Sequence, residues 1–493
     1  MGEVTMKYGL RRFWSVVAFA LLLFTVSNAE AVRPNGQPGK DWGGPENVKC
    51  AECHLKESPG LWAQWNESQH GQNHVGCLDC HKAAKSDVDA FEHKGQLISV
   101  LVTPKDCAQC HKTEVDEQQR SHHASAGKIL NSLDNLLGEV VGGPAAVNVG
   151  CRQCHGSVVK LDRKKRPTTD TWPNTGIGRI NPDGSLGSCT ACHGRHNFSR
   201  AQARHPDTCG KCHIGPDHPQ LEVYNESKHG ILFRANINKM NMGSDKWEAG
   251  VDYSAAPTCS TCHMSGVPGL AKTHDVGERI SWNLRSPVSN RINLVRLDNG
   301  TSYDVPNGKP LPKVGDMVKN RGGKVIEVIE SDERRERMQE VCFACHGERI
   351  VEGHYKQLDD FVELYNEKFA KPVKAIIGDL KKAGKITKSP FDDKIEWIWW
   401  EIWHHEGRVA RHGASMMGPD YAWWHGLYEV AKHTYFKFIP ELKKVVGEKE
   451  AKKLLEKHFK PIAGHDWYFN GMNKDALKKI NKEYEKRYGK GSM

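Results

Sequence analysis

The residues of this chain best equipped for chemistry are its sixteen cysteines, each pair of which is followed at once by a histidine. They fall without remainder into eight Cys-x-x-Cys-His units: Cys50, Cys53 and His54; Cys77, Cys80 and His81; Cys107, Cys110 and His111; Cys151, Cys154 and His155; Cys189, Cys192 and His193; Cys209, Cys212 and His213; Cys259, Cys262 and His263; Cys342, Cys345 and His346. One such unit alone would fit a zinc half-site or a redox dithiol. Eight units that all carry the histidine do not, and nothing in disulfide chemistry requires a histidine after every second cysteine. The spacing meets the needs of c-type haem, whose vinyl groups take the two thiols as thioethers while the adjacent histidine reaches the iron as proximal ligand. The pattern therefore predicts eight covalently attached haem c groups.

The ligand arithmetic bears on function. Of 26 histidines, eight are proximal by this reading and eighteen remain. An electron carrier closes every iron with a distal ligand, whereas an enzyme leaves one open. Residues in settings that suit distal ligation are His70, His93, His122 or His123, His196, His229, His274 and His412, which make one fewer than the irons. The densest stretch runs from Cys189 to Gly230, where two attachment units are interleaved with His196, His218, His229 and the acid Asp217.

That stretch resembles the octahaem hydroxylamine oxidoreductase family, in which CxxCHxRHxFS, CxxCHxGxDH and YxxSKHG follow one another in this order; APTCSTCHMSG followed by THD is similar as well. The resemblance covers most of residues 48 to 440. It implies that the fourth haem, at Cys151, Cys154 and His155, is the open, catalytic one, and that Asp217 and His218 form its distal pair. A histidine oriented by a carboxylate is suited to move protons beside an iron that binds a nitrogen compound. Two positions depart from the family's oxidising members. Their haem-crosslinking tyrosine, supplied by a neighbouring subunit, aligns with Asp420, with Tyr421 one place later. Their pocket tyrosine aligns with Arg285, and an arginine there would stabilise an anion such as nitrite. The resemblance thus implies an oxidoreductase for small nitrogen compounds. Nitrite or nitric oxide reduction comes first, oxidation of hydroxylamine or hydrazine with a Tyr421–haem crosslink second, and a non-catalytic electron conduit third.

The elements that must position these residues are legible in outline. Lys7, Arg11 and Arg12 precede an apolar run from Phe13 to Val26, and Ala29-Glu30-Ala31 resembles a cleavage site, so residues 1–31 read as a secretory signal. Residues 32–49, rich in Pro and Gly, read as an extended arm. Residues 50–346 hold one haem per roughly 37 residues, a density at which porphyrins form much of the core. Within them, 291–330 carries β-branched alternation and Asn-Gly turns, and reads as a small β-containing insertion. Residues 347–493 show helical spacing over Asp359 to Ala383, Asp392 to Arg411, Tyr421 to Val446 and Glu448 to His458. The tryptophans Trp397, Trp399, Trp400, Trp403, Trp423 and Trp424 are expected to pack on porphyrins or on each other. The expected fold is mainly α: an N-terminal haem-packed domain, the β insertion and a C-terminal long-helix domain.

The formal charge of +10 suggests nucleic acid or membrane, but eight haems bring about sixteen propionate charges of opposite sign, which removes that argument. The expectation is a soluble exported protein, periplasmic or equivalent, without a stable membrane span or nucleic-acid partner. A homo-oligomer, a trimer or a multiple of it, is expected, with a small cytochrome or quinol-linked complex as redox partner.

Overall fold

The computed structural model describes residues 45–128 and 133–491. The predicted signal lies outside these residues, as does most of the predicted arm. The arm's last residues belong instead to a helix, Pro45–Glu57. Proline suits that start because its φ is already helical and its missing N–H would have no partner in the first turn.

Helix makes up 53% of the chain, and the mainly α class expected from the sequence holds. Up to residue 346 most helices are short, and attachment units sit on single turns such as Cys77–His81, Cys151–His155 and Cys259–His263. One helical turn brings residues three and four apart to the same side, so both thiols and the histidine face one edge. Apolar clusters are small here: Ala51, Trp62 and Trp65 form one, and residues including Tyr224, Phe233 and Trp247 form another.

Two sheets interrupt the helices. The first is an unanticipated hairpin of β1 (Phe91–His93) and β2 (Gln96–Ile98). Lys94 and Gly95 both take positive φ, as the tight turn that suits strand twist demands. The second sheet comprises β3 (Trp282–Asn283), β4 (Asn290–Leu297), β5 (Ser302–Pro306), β6 (Met317–Val318) and β7 (Gly323–Ile329), paired antiparallel around β4. It begins a few residues before the span expected from β-branched alternation, because β3 is too short to show a period.

A buried ion network pins this sheet to the haem-bearing segment. Arg296 on β4 donates to Asp275 at 3.0 Å, to Glu278, and to Glu327 at 2.6 Å. Burial alone would raise the Glu278 carboxyl, but Arg296 and Arg337 hold it below its ordinary value. Asp275 directly follows His274, so the network fixes the backbone beside a candidate ligand.

The large apolar core is C-terminal. Tyr365, Val373, Ile376, Leu380, Ile402, Val430, Phe438 and Leu442 pack together there, nearly all of them wholly buried. They come from helices joined end to end through π turns: Glu348–Tyr365, Asn366–Ala370 and Lys371–Lys382; Lys394–Trp400, Glu401–Glu406 and Gly407–Met416; and a third run ending in Ile439–Val446. The first of these starts earlier than its periodicity suggested. Trp399 and Trp400 are buried in this region, while Trp423 and Trp424 are exposed and pack edge to face on each other at 6.1 Å.

Replacing Arg296 with Ala leaves buried Glu278 to Arg337 at 2.9 Å and buried Asp275 to Arg120 at 3.8 Å, and costs up to about 3–5 kcal/mol. Denaturant unfolding of the holoprotein is expected to show that loss. A change within error would mean the network does not hold the sheet in place.

Candidate functional site

Whether these residues fit haem can be judged from the imidazoles. A metal bridged by two of them, at about 2.0 Å per bond, holds their ring centres roughly 6 Å apart, too far for stacking and without a hydrogen bond between them. Five attachment histidines face another histidine at that separation. His54 faces His93 at 6.3 Å, His81 faces His196 at 6.4 Å, His111 faces His70 at 6.1 Å, His213 faces His123 at 6.1 Å and His346 faces His229 at 5.9 Å. Several attachment histidines also have Nδ1 tied to a backbone carbonyl: His81 to Ser99 at 2.8 Å, His155 to Ala126 at 3.2 Å and His263 to Val276 at 3.2 Å. That bond orients the ring and leaves Nε2 for a metal. All sixteen cysteines are free thiols, as thioether attachment requires. The residues fit the group.

Neighbouring units also touch. The Cys50 side chain lies beside that of Cys77, Cys107 beside Cys189, Cys154 beside Cys212, and Cys209 beside Cys259. The first and second, third and fifth, fourth and sixth, and sixth and seventh units are thereby adjacent.

Between the two adjacent candidates of the RSHH turn the structure discriminates. The Nε2 of His122 is 2.9 Å from Asp304, while His123 turns toward His213. Burial, then the neighbouring His213, hold His123 down at about 3, so it stays neutral, the form a metal takes. His274 lies in electrostatic reach of His193, with its Nδ1 3.8 Å from Glu117. His412 is not paired with an attachment histidine among the described residues; its Nε2 meets the Gln220 amide at 3.5 Å.

His155, His193 and His263 have no imidazole at the bridging separation among the described residues. For His155 of the fourth unit, His218 and Asp217 stand within electrostatic reach instead. The pair occupies a loop that turns at Gly215, whose φ of +105° disfavours any side chain, and ends at Pro219 before the helix Gln220–Glu226. His218 puts Nε2 3.4 Å from Asp217, and its Nδ1 is buried without a hydrogen-bond partner. His218 also lies 6.2 Å from the His213 ring, so the loop stands between the fourth and sixth units.

Two residues that the sequence reading did not assign converge on the same carboxylate. Arg408 Nη1 donates to Asp217 at 3.3 Å, and His404 Nε2 lies 3.8 Å from it. His404, Arg408 and His412 are successive residues four apart on one helical run, and all three meet the Asp217–Gln220 loop. A polar stripe at that spacing on an otherwise buried helix was the available signal. The helix is held in place by Arg411, wholly buried, which donates to Ser286 and Ser289 and lies 4.1 Å over the Tyr365 ring.

Arg285, expected as the pocket cation, has an exposed side chain, and its carbonyl accepts from Arg408 Nε at 2.9 Å. Asp420 bonds His425, and its amide donates to Glu226. Tyr421 is partly buried; burial, then Glu222 and Glu226, push its phenol up. A side chain at Gly413 would collide with Tyr421 and Ala422, so the glycine lets this turn lie directly on the His404–His412 helix.

Comparison with known proteins agrees with the haem reading. Residues 183–297 match the family described as seven times multi-haem cytochrome CxxCH, and residues 141–214 match cytochrome c7 and related cytochrome c. A probable nitrite reductase-hydroxylamine oxidoreductase fusion protein of Kuenenia stuttgartiensis is 27% identical over 330 residues, 64% of this chain and 35% of the relative. The high-molecular-weight cytochrome c of Nitratidesulfovibrio vulgaris is 25% identical over 281 residues, 53% of this chain and 47% of the relative. The chain thus spans less than half the length of these curated relatives. Among solved structures, a hypothetical multiheme protein superposes with a TM-score of 0.66 at 25% identity, covering 82% of this chain and 97% of that one. A reducing HAO-like protein complex of K. stuttgartiensis shares the fold, with a TM-score of 0.55 at 20% identity over 85% of this chain and 88% of that one.

Burial, then the Arg408 charge, hold His404 down at about 3, against an ordinary value of 6.5. The unfolded chain therefore takes up a proton that the folded chain refuses, and stability is lost as pH falls from about 6.5 toward 3. Denaturation midpoints across that window are expected to fall, with a shallower slope for His404→Gln. An identical slope in the variant would show that His404 does not titrate on unfolding.

Proposed function

We propose, for a chain that is a mainly α multihaem cytochrome related to the hydroxylamine oxidoreductase family, that it acts on small inorganic nitrogen compounds at the haem held by Cys151, Cys154 and His155, with nitrite or nitric oxide reduction favoured. The observation that carries this reading is the Asp217–His218 pair beside His155, with a guanidinium on the same carboxylate. When bound, haem supplies an iron that coordinates the nitrogen compound and exchanges electrons with it. The eight Cys-x-x-Cys-His units would hold the haems. His93, His196, His70, His123 and His229 would close the distal faces at His54, His81, His111, His213 and His346, with His274 serving His193. His263 faces no imidazole among the described residues, and His412, expected as a further distal ligand, lies 3.5 Å from the Gln220 amide.

The protein's own task is then protons and charge. Nitrite reduction to nitric oxide consumes one electron and two protons and releases water. His218, held through Nε2 by Asp217, has a second, unengaged nitrogen with which to hold or give a proton. Arg408 adds a fixed cation suited to an anionic substrate, the role expected of Arg285. The contacts between attachment units support electron supply from the remaining haems. Oxidation of hydroxylamine or hydrazine is the second reading, favoured by the position of Tyr421 against the helix that bears His404 and Arg408. No described helix is long and apolar enough to cross a membrane. Export by the 1–31 signal to an extracytoplasmic compartment, trimeric association, and a small cytochrome or quinol-linked complex as redox partner complete the proposal.

Absorption and paramagnetic spectra of the holoprotein are expected to show high-spin iron beside low-spin iron; entirely low-spin spectra would reduce the protein to an electron conduit. His218→Ala is expected to lower nitrite turnover with a reduced donor by about 100-fold or more while low-spin spectra persist. Turnover equal to the parent's would remove the proton-carrier role. A denatured mass of one chain plus eight ordinary haems is expected, and a covalent trimer would transfer the assignment to the oxidative reading.

A further inference from the structure

The Asp217–His218 pair explains the last proton step but not where the proton comes from. Each proton His218 gives to a bound nitrogen compound must be replaced, and Arg408, permanently charged, cannot do it. His404 approaches Asp217 from the opposite side to the haem-bearing loop. Its imidazole is 1% exposed, its Nε2 lies 3.8 Å from Asp217, and its Nδ1 is buried without a hydrogen-bond partner. A nitrogen left unpaired in the interior is costly unless something uses it. The ring is fixed for such a use: it stacks on Trp400 at 4.4 Å and 19°, with the edge of Trp403 against it at 5.0 Å.

The next imidazole is already in place. His405, partly exposed, has its ring centre 5.5 Å from that of His404 and packs against the edge of the same Trp400. Both histidines lie on the π turn Glu401–Glu406, a helical irregularity frequent at functional sites. The groups that face His404 are Asp217 and His218 from the loop and Arg408 and His405 from its own helical run. Burial and Arg408 keep His404 neutral, the state in which one ring nitrogen accepts a proton while the other donates.

We infer that His405 and His404 form the proton inlet of the open site. A proton from solvent enters at His405 and passes to His404, which releases one to Asp217. Asp217 in turn restores the proton that His218 has given up. Each proton released is matched by one received, His404 returns to its starting tautomer by ring rotation, and no electron moves along the path. The 3.8 Å gap is of the size that a small ring rotation or a bridging water closes. The inlet rests on the reading of Asp217 and His218 as the proton carrier, and it makes His404 a positioning and relay residue rather than one that touches substrate.

The test uses the haem-loaded protein without substrate. The open haem is reduced rapidly in weakly buffered solution, and proton uptake is followed with a pH-indicator dye. His404→Gln is expected to keep haem content, spectra and midpoint potential while slowing uptake about tenfold or more. Nitrite turnover should fall together with it, with a larger solvent isotope effect and an earlier decline toward alkaline pH. A merely structural role would not slow uptake at unchanged potential. Uptake and pH profile equal to the parent's would overturn the inlet. Should His404→Gln fail to load haem, His405→Gln, at a partly exposed position, is expected to slow uptake in the same direction, and a parent-like rate there overturns the inlet equally. His218→Gln run in parallel separates the two ideas. If it also turns over like the parent, the proton-carrier reading falls; if only the His404 variant does, the inlet falls alone.

Discussion

Two imidazoles that share a metal must stand roughly 6 Å apart, and the N-terminal two-thirds of this chain is built to meet that requirement. The facing pairs join residues far apart in sequence: His81 with His196, His123 with His213, His229 with His346. In the proposed ligation each pair closes a long loop, as a disulfide does, and removes conformational freedom from the unfolded chain. A chain that is only 38% hydrophobic, with small apolar clusters around its attachment units, folds on those terms because metal binding supplies folding free energy. The C-terminal helices follow the opposite rule. Their core is continuous and apolar.

The proposed open site lies where these two modes of stabilisation meet. Asp217 belongs to the haem-bearing half, on a loop that follows the sixth unit. Arg408 and His404 belong to the apolar half, on a helix that Arg411 locks against Tyr365 and the Ser286–Ser289 loop. A carboxylate facing one guanidinium and two imidazoles has its geometry determined from several directions at once, and such networks lose more than the sum of their parts when one member is removed. The rigid side sets the position of the charges, while the haem-bearing side sets the position of the reacting atom.

What the sequence disclosed follows from how local each signal is. The Cys-x-x-Cys-His units, the β4–β7 alternation and the C-terminal helices depend on neighbours a few residues away, and all were legible. Which of His122 and His123 faces His213 was not, because the choice is made by Asp304, far along the chain on β5. The hairpin of β1 and β2 is too short to show a period. His404 and Arg408 were hidden for a different reason: polar residues four apart on a helix usually mark its solvent face, and only the fold shows that this stripe looks inward.

The exchange of Arg285 for Arg408 bears on which chemistry the site prefers. A cation fixed in a partly buried site attracts an anion and does little for a neutral molecule. Nitrite is an anion, whereas near neutral pH hydroxylamine is largely uncharged and hydrazine is largely a cation. The loop after β3 carries Arg285 with an exposed side chain, and a helix carries Arg408, with its guanidinium on Asp217 and its Nε on the Arg285 carbonyl. A helix-borne arginine pinned at both ends of its guanidinium is also held more firmly than one on a loop, so the electrostatic case for an anionic substrate rests on better-fixed geometry than the sequence alone provided.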